Sequence, residues 1–206
     1  MTIDAIQEQK KNKERVNLYA GNEFIGALNM ETAVKYGLRA GLEISDDDFQ
    51  EILNADNERY AFDKAIQYIA YSKRTESEVK KHLISKGLNE NAAENAIEKL
   101  KSYHYIDDTD YARQYASEQM RQKNFGLKAL AFKLKQKGIS GYVIEDVLAE
   151  WSAEDETQNA LSLYEMLSAK YAKDDEPKRK QKIIRGMAAK GFDFETIKSV
   201  MNRKGE

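Results

Sequence analysis

The sequence predicts a mainly α-helical protein: tandem repeats of three-helix units in an elongated, curved stack, behind a small N-terminal β-hairpin and helix extension. Three observations predict it. A four-residue signature occurs three times, as Lys86-Gly87-Leu88-Asn89, Lys137-Gly138-Ile139-Ser140 and Lys190-Gly191-Phe192-Asp193, at intervals of 51 and 53 residues. Apolar residues keep one i, i+4 register on both sides of each signature. Before residue 59 the chain lacks that pattern, and alternates over a short stretch instead.

The signature reads as the end of one helix and the start of the next. Lysine suits the negative end of the helix dipole. Glycine takes the left-handed position that closes the helix. The apolar residue anchors the corner, and Asn, Ser or Asp accepts free N–H groups of the following helix.

Taken in order, residues 1–14 are polar without apolar periodicity, and are expected to be a frayed tail or an isolated helix. Residues 15–58 form the extension. Arg15 to Ala20 and Glu23 to Leu28 flank Gly21-Asn22, a two-residue hairpin link. A short helix follows, capped by Asn29, carrying Ala33 and Val34 and ending at Gly37; another begins at Ser45-Asp46-Asp47-Asp48.

Residues 59–108 are the first repeat. Its helices carry Ala65-Tyr68-Ile69, then Val79 and Leu83, then Ala93 and Ile97, and Thr75-Glu76-Ser77-Glu78 is a capping-box pattern for the second. Residues 109–156 are the second repeat, opened by Asp107-Asp108 as caps. Ala116-Gln119-Met120, Leu130 and Leu134, and Ile144 and Leu148 set its apolar faces, and Trp151 covers its core. Residues 157–206 are the third, with Ala160-Leu163-Tyr164, Ile183 and Met187, and Ile197 and Met201. Its first connection is longer, and Pro177 lies in that polar run, where it cannot damage a helix interior.

Composition bounds the function. With 33% charged and 41% hydrophobic residues in 206, the chain suits an exposed stack better than a two-layer globule. The absence of cysteine excludes disulfide staples and thiolate metal sites, and fits a reducing compartment. No apolar run approaches the ~18 residues a membrane span needs, and the basic N-terminus lacks a signal-peptide core. A soluble cytoplasmic protein with no membrane contact is expected.

The net charge of −2 hides segregation. Gly41 to Glu58 holds seven acidic and no basic residues, whereas Arg113 to Lys137 holds seven basic and one acidic. Gly138 to Glu156 returns to six acidic and none basic, and Lys170 to Lys190 to eight basic against three acidic. A charge run is commonly a solvated face. Two basic stretches at equivalent places in successive repeats also suit a positive stripe.

Motifs for catalysis are missing. His82 and His104 have no metal-ligand spacing, no phosphate loop or nucleophile elbow occurs, and the paired carboxylates sit where helices begin, so capping explains them. No cofactor, no metal and no enzymatic activity are expected. Tyr68, Tyr103, Tyr105, Tyr111 and Tyr115 read as core or corner residues.

The second repeat carries the candidate interface. Leu127, Leu130, Ala131 and Leu134 define a core face. Lys128 and Lys135 project about 90–100° from it at ~100° per residue, with Phe132 close to them. The repeat equivalents of Phe132 are Lys81 and Arg185, so packing requires no aromatic there. Such a side chain could stack on a base, fill a groove on a partner, or pack on the next repeat. Arg113, Arg121 and Lys123 extend the positive surface, and Asn124-Phe125-Gly126 makes the corner.

At this point the chain resembles the RecX family, the regulators of the bacterial recombinase RecA. The stretches that carry the resemblance are Tyr71 to Val79, Leu83 to Leu88, Tyr105-Ile106-Asp107-Asp108 and, most distinctive, Tyr111 to Ile139. The hairpin with Tyr36-Gly37-Leu38 is similar to the extension of members from Gram-positive bacteria. Phe132 and the less regular third repeat depart from the pattern.

The resemblance implies a non-enzymatic negative regulator. It would bind the RecA filament on single-stranded DNA and inhibit extension, ATPase, strand exchange and coprotease activity. Charge and helical geometry nominate Arg113, Arg121, Lys123, Lys128, Phe132 and Lys135 as contacts, with Lys178, Arg179, Lys182 and Arg185 as a second patch. A monomer is expected. The competing expectations are a sequence-independent DNA-binding repeat protein acting without RecA and, remotely, a hydrolase using Asp46, Asp47 or Asp48.

Overall fold

All three signature glycines adopt the left-handed backbone, with φ of +85° at Gly87, +81° at Gly138 and +86° at Gly191. After each, the amide of the apolar residue donates back to a carbonyl five positions earlier: Leu88 to Leu83, Ile139 to Leu134 and Phe192 to Met187. That is the Schellman closure a C′ glycine permits. Asn89, Ser140 and Asp193 then accept the amides of Ala92, Val143 and Thr196 and start the next helix.

The computed structural model describes residues 1–10 and 12–205, without the Lys123 side chain. It divides into unit 1, residues 1–73 and 79–106, and unit 2, residues 74–78 and 107–206. The described residues are mostly helical, with ten helices and one small sheet.

Unit 1 opens with β1 (Ala5–Glu8), β2 (Arg15–Ala20) and β3 (Glu23–Asn29), an antiparallel sheet in the order β1-β2-β3. Gly21 and Asn22 have φ of +59° and +63°, the pair of positive angles a two-residue hairpin needs. The start of the chain differs from the expected tail or isolated helix. β1 pairs with β2, Ala5 opposite Tyr19, and Ile3 is fully buried, donating to Leu42 O and accepting from Gly41 N. The partner residues of Ile3 lie some forty positions away, so local periodicity could not reveal the pairing.

Helix α1 (Met30–Lys35) starts at the Asn29 cap and ends before Gly37, and α2 (Asp46–Ile69) starts at Ser45. α2 is continuous for 24 residues. It joins the helix expected at Ser45 to the one expected around Ala65, because nothing between them is glycine or proline. Its first half presents Phe49 and Ile52 to the sheet core of Ile3, Val16, Leu18 and Leu28. A Cβ on Gly26 would lie 3.0 Å from Leu53, so glycine there lets the helix approach β3.

A buried ion pair marks that contact. Asp56 lies 3.4 Å from the Arg15 guanidinium and accepts the Asn29 amide and the Thr32 hydroxyl. A buried carboxylate left without these donors would cost several kcal/mol. The second half of α2 turns Ala61 and Ala65 to Val79 and Leu83 of α3 (Glu76–Ser85), and to Ala93, Ala96, Ile97 and Leu100 of α4 (Glu90–Ser102).

Unit 2 contains two further helix triplets. α5 (Asp108–Lys123), α6 (Leu127–Gln136) and α7 (Gly141–Ala149) enclose Ala112, Ala116, Met120, Leu130, Leu134, Ile144 and Val147, with Trp151 partly covering them. α8 (Ala153–Lys170), α9 (Glu176–Ala189) and α10 (Phe194–Arg203) enclose Ala160, Leu163, Tyr164, Ile183, Met187, Ile197 and Met201. Pro177 falls in the first turn of α9, where no amide donor is required.

Residues 74–78 group with unit 2. The Thr75–Glu78 capping box closes with both bonds at 3.2 Å, and Thr75 Oγ1 also donates to Lys137 O at 2.7 Å. A Cβ on Gly138 would overlap Ser77 at 2.2 Å, so this glycine serves both its own turn and the neighbouring helix start.

Candidate nucleic-acid and filament interface

α6 is the basic helix of the second repeat, and part of its surface is exposed. Leu130 and Leu134 anchor it, which leaves Lys128, Phe132 and Lys135, at i, i+4 and i+7, together on its outer face. Phe132 is 62% exposed. It therefore does not serve as a core residue for the described part of unit 2. Lys128, at 72%, lies 3.9 Å from the Asp193 carboxylate, a weak pairing at that exposure. Lys135 is exposed and has no carboxylate partner among the described residues.

The N-terminal end of α6 is held tightly. Leu127 N donates to Glu156 Oε1 at 3.1 Å, and Asn159 Nδ2 donates to Phe125 O at 2.7 Å. Gly126 N donates to Lys190 O at 2.8 Å, and a Cβ on Gly126 would meet the Gly191 carbonyl carbon at 2.7 Å. The corner before α6 thus rests directly on the glycine turn after α9.

Sequence reasoning missed what this corner does to Phe125. Lys133 and Lys190 approach its ring at 4.8 Å and 4.2 Å, so two lysines from different repeats are gathered around one aromatic. No local spacing signals it, because Lys190 is distant in sequence.

Five of the other seven nominated residues divide into two groups. Arg121 and Arg185 are exposed and pair with no described carboxylate. Arg113 is turned onto the acidic end of α7, with Nε 2.6 Å from Glu150 Oε1 and its other nitrogen 3.8 Å from Asp146. The hydrogen bond to Glu150, then its charge, raises the guanidinium pKa further. Lys178 and Lys182 share Asp174, at 3.9 Å and 2.7 Å, and the Lys182 hydrogen bond lowers that carboxyl pKa. Arg179 is half-buried, and Lys123 lies outside the described side chains. The acidic residues between the basic stretches are thus local partners for part of the positive charge.

Lys137, the signature lysine of the second repeat, has a structural role. It bonds Glu78 at 2.9 Å beside the rings of Tyr111 and Tyr115. Burial works against its charge, but hydrogen bonds to Tyr111 and Glu78 outweigh that and raise its pKa.

The outer face of α6 can meet an anionic or aromatic partner, and Arg121 on α5 and Arg185 on α9 are further exposed cations of unit 2. Among the described residues, no group of three His, Cys, Asp or Glu could hold a metal ion, and no helix is long and apolar enough to cross a membrane.

Known proteins match this chain over nearly all of its length. Four family models match: the regulatory protein RecX N-terminal domain over residues 1–45, and the RecX first, second and third three-helix domains over 61–100, 107–148 and 154–201. A regulatory protein RecX of Staphylococcus aureus strain JH9 is 35% identical over 200 residues, 97% of this chain and 73% of that one. One of Bacillus licheniformis is 32% identical over 199 residues, 97% of this chain and 76% of that one. A crystal structure of regulatory protein RecX superposes with a TM-score of 0.70 at 27% identity, covering 98% of both chains. RecX from Lactobacillus salivarius gives 0.66 at 28% identity, covering 72% of this chain and 97% of that one.

Proposed function

Because the chain belongs to the RecX family of regulatory proteins, we propose that it is a negative regulator of the RecA recombinase. It binds the RecA filament on single-stranded DNA and hinders extension, ATP hydrolysis, strand exchange and coprotease activity. It works in the cytoplasm, as a monomer and without catalysis of its own.

The observation that carries the reading is the outer face of α6, where exposed Phe132 lies between Lys128 and Lys135. The exposed ring is available to a partner, and the flanking lysines favour one that is anionic, aromatic or both. A nucleoprotein filament offers phosphate, bases and protein surface side by side. Arg121 and Arg185 extend the contact, and Lys123 belongs with them by its place on α5. Arg113, Lys178 and Lys182 join only by exchanging carboxylates of their own chain for those of a partner, and Arg179 lies beside them on α9.

The test is RecA-dependent ATP hydrolysis on single-stranded DNA with and without the protein. Inhibition that saturates is expected; undiminished hydrolysis at saturating protein would overturn the reading. The same face also favours a second one, sequence-independent binding to DNA without RecA. In that case bare DNA binds tightly with a steep salt dependence, and hydrolysis inhibition follows only from competition for DNA.

A further inference from the structure

Unit 1 contains a groove that the regulator reading does not use. The C-terminal half of α2 places Tyr60, Lys64 and Tyr68 at i, i+4 and i+8, so they share one helix face, and Tyr71 follows just past the helix end. His82 of α3 and Lys86, just past the end of that helix, form the opposite side. With Gln67 they enclose an open groove of about 400 Å³, and no carboxylate lines it.

The rings in this groove are already arranged. His82 lies flat on Tyr68, centroids 4.0 Å apart and planes within 3°. Tyr60 is fixed by the Arg15 guanidinium at 4.2 Å, itself held by buried Asp56, and Lys64 lies 5.2 Å from the same ring while donating to Gln67. Tyr71, in the bend between α2 and α3, is 89% exposed, so core packing does not explain its ring.

We propose that this groove binds a short stretch of single-stranded nucleic acid. Tyr71 and the Tyr68–His82 stack offer flat faces to unpaired bases, and Lys64 and Lys86 meet the phosphates. Aromatic platforms beside a positive track are the physical means of holding an unpaired strand, since every base has a π-face. A duplex hides those faces. An acidic peptide would use the lysines but leave Tyr71 uncovered. The site stands on unit 1 alone and is independent of the recombinase reading, which is judged by ATP hydrolysis.

The experiment uses the full-length chain with the α6 face removed by Lys128→Glu and Lys135→Glu, and fluorescein-labelled oligo-dT and oligo-rU, read by anisotropy at low salt. Tyr71→Ala is expected to weaken binding roughly five-fold or more, the loss of one base stack, whereas Tyr71→Phe keeps it. Lys64→Ala with Lys86→Ala should flatten the salt slope by about 0.7 per lysine. An oligonucleotide carrying 5-iodouracil should photocrosslink to Tyr71 or Tyr68 in the same chain. Binding of either oligonucleotide in this pattern supports the inference, and the tighter one identifies the sugar. Affinity unchanged in Tyr71→Ala, crosslinks confined to unit 2, or no binding by this chain overturns it. RecA inhibition surviving in Tyr71→Ala with the α6 face present, while Tyr71→Ala in the chain lacking that face binds oligonucleotide normally, would sink the groove and leave the regulator reading intact.

Discussion

Asp193 does two things at once. Its carboxylate caps α10 through the Thr196 amide, and it is the nearest anion to Lys128. The backbone hydrogen bond from Thr196, more than the Lys128 charge, lowers its pKa. A carboxyl group lowered on folding adds stability above its unfolded value of about 3.9 and loses it as pH falls through the folded value. Thermal melting against pH should therefore show a wild-type advantage over Asp193→Asn that is constant near neutrality and disappears below about pH 4. Asp155 and Asp174, lowered by bonds to Ser152 and Lys182, act in the same direction. Asp193→Ala, which lacks a cap oxygen, should cost about 1 kcal/mol at pH 7 in urea denaturation. The signature glycines should rank by their surroundings. Gly87 has open space, so Gly87→Ala bears only the left-handed backbone penalty of about 1–2 kcal/mol. Gly138→Ala must also displace Ser77, and Gly191→Ala must displace Ala129, whose Cβ would be 2.4 Å away. Both should lower the urea midpoint more than Gly87→Ala.

At the scale of the helix, α6 separates stability from recognition. Its inner side is Leu130 and Leu134, both fully buried, while Lys128, Phe132 and Lys135 reach solvent. Lys128→Glu with Lys135→Glu should leave the melting temperature nearly unchanged, since surface charges contribute little to folding, yet relieve most of the inhibition of RecA-dependent ATP hydrolysis. Full inhibition by the double variant would remove α6 from the interface. Caps, glycine turns and the inward leucines were legible because each depends on neighbours within one or two helical turns. The pairing of Arg113 was not legible, because Glu150 and Asp146 meet it only after α7 folds back along α5. β1 escaped notice for the same reason: four residues of mixed polarity become a strand only when β2 is beside them. The aromatic groove in unit 1 escaped because Tyr68, taken singly, looks like an ordinary packing residue, and His82 stacks on it only when α3 packs back on α2.

For the whole molecule, the net charge of −2 matters to how it can meet a polyanion. Long-range attraction is weak, so association depends on local positive faces. In a chain bearing Lys64→Ala and Lys86→Ala, with Arg121, Lys128, Lys135 and Arg185 as phosphate contacts, the logarithm of the single-strand binding constant should fall against log salt with a slope near −3, about 0.7 per contact. A measured slope near zero would remove phosphate from the interface, and one far steeper would require the carboxylate-paired residues Arg113, Lys178 and Lys182 to be released as well. That slope, taken beside ATPase inhibition, separates a filament regulator from a protein that merely coats DNA.

The unbroken course of α2 has an evolutionary and engineering corollary. Phe49 and Ile52 serve the sheet, and Ala61 and Ala65 serve the following helix pair, along a single rod. Adding one residue midway would swing one set of anchors by about 100° against the other, whereas seven would bring them nearly back into phase. Length variation among viable descendants or grafts should therefore come in near-whole heptads at this point, and a one-residue insertion after Asn57 should unfold either the sheet or the first triplet, as hydrogen exchange would reveal.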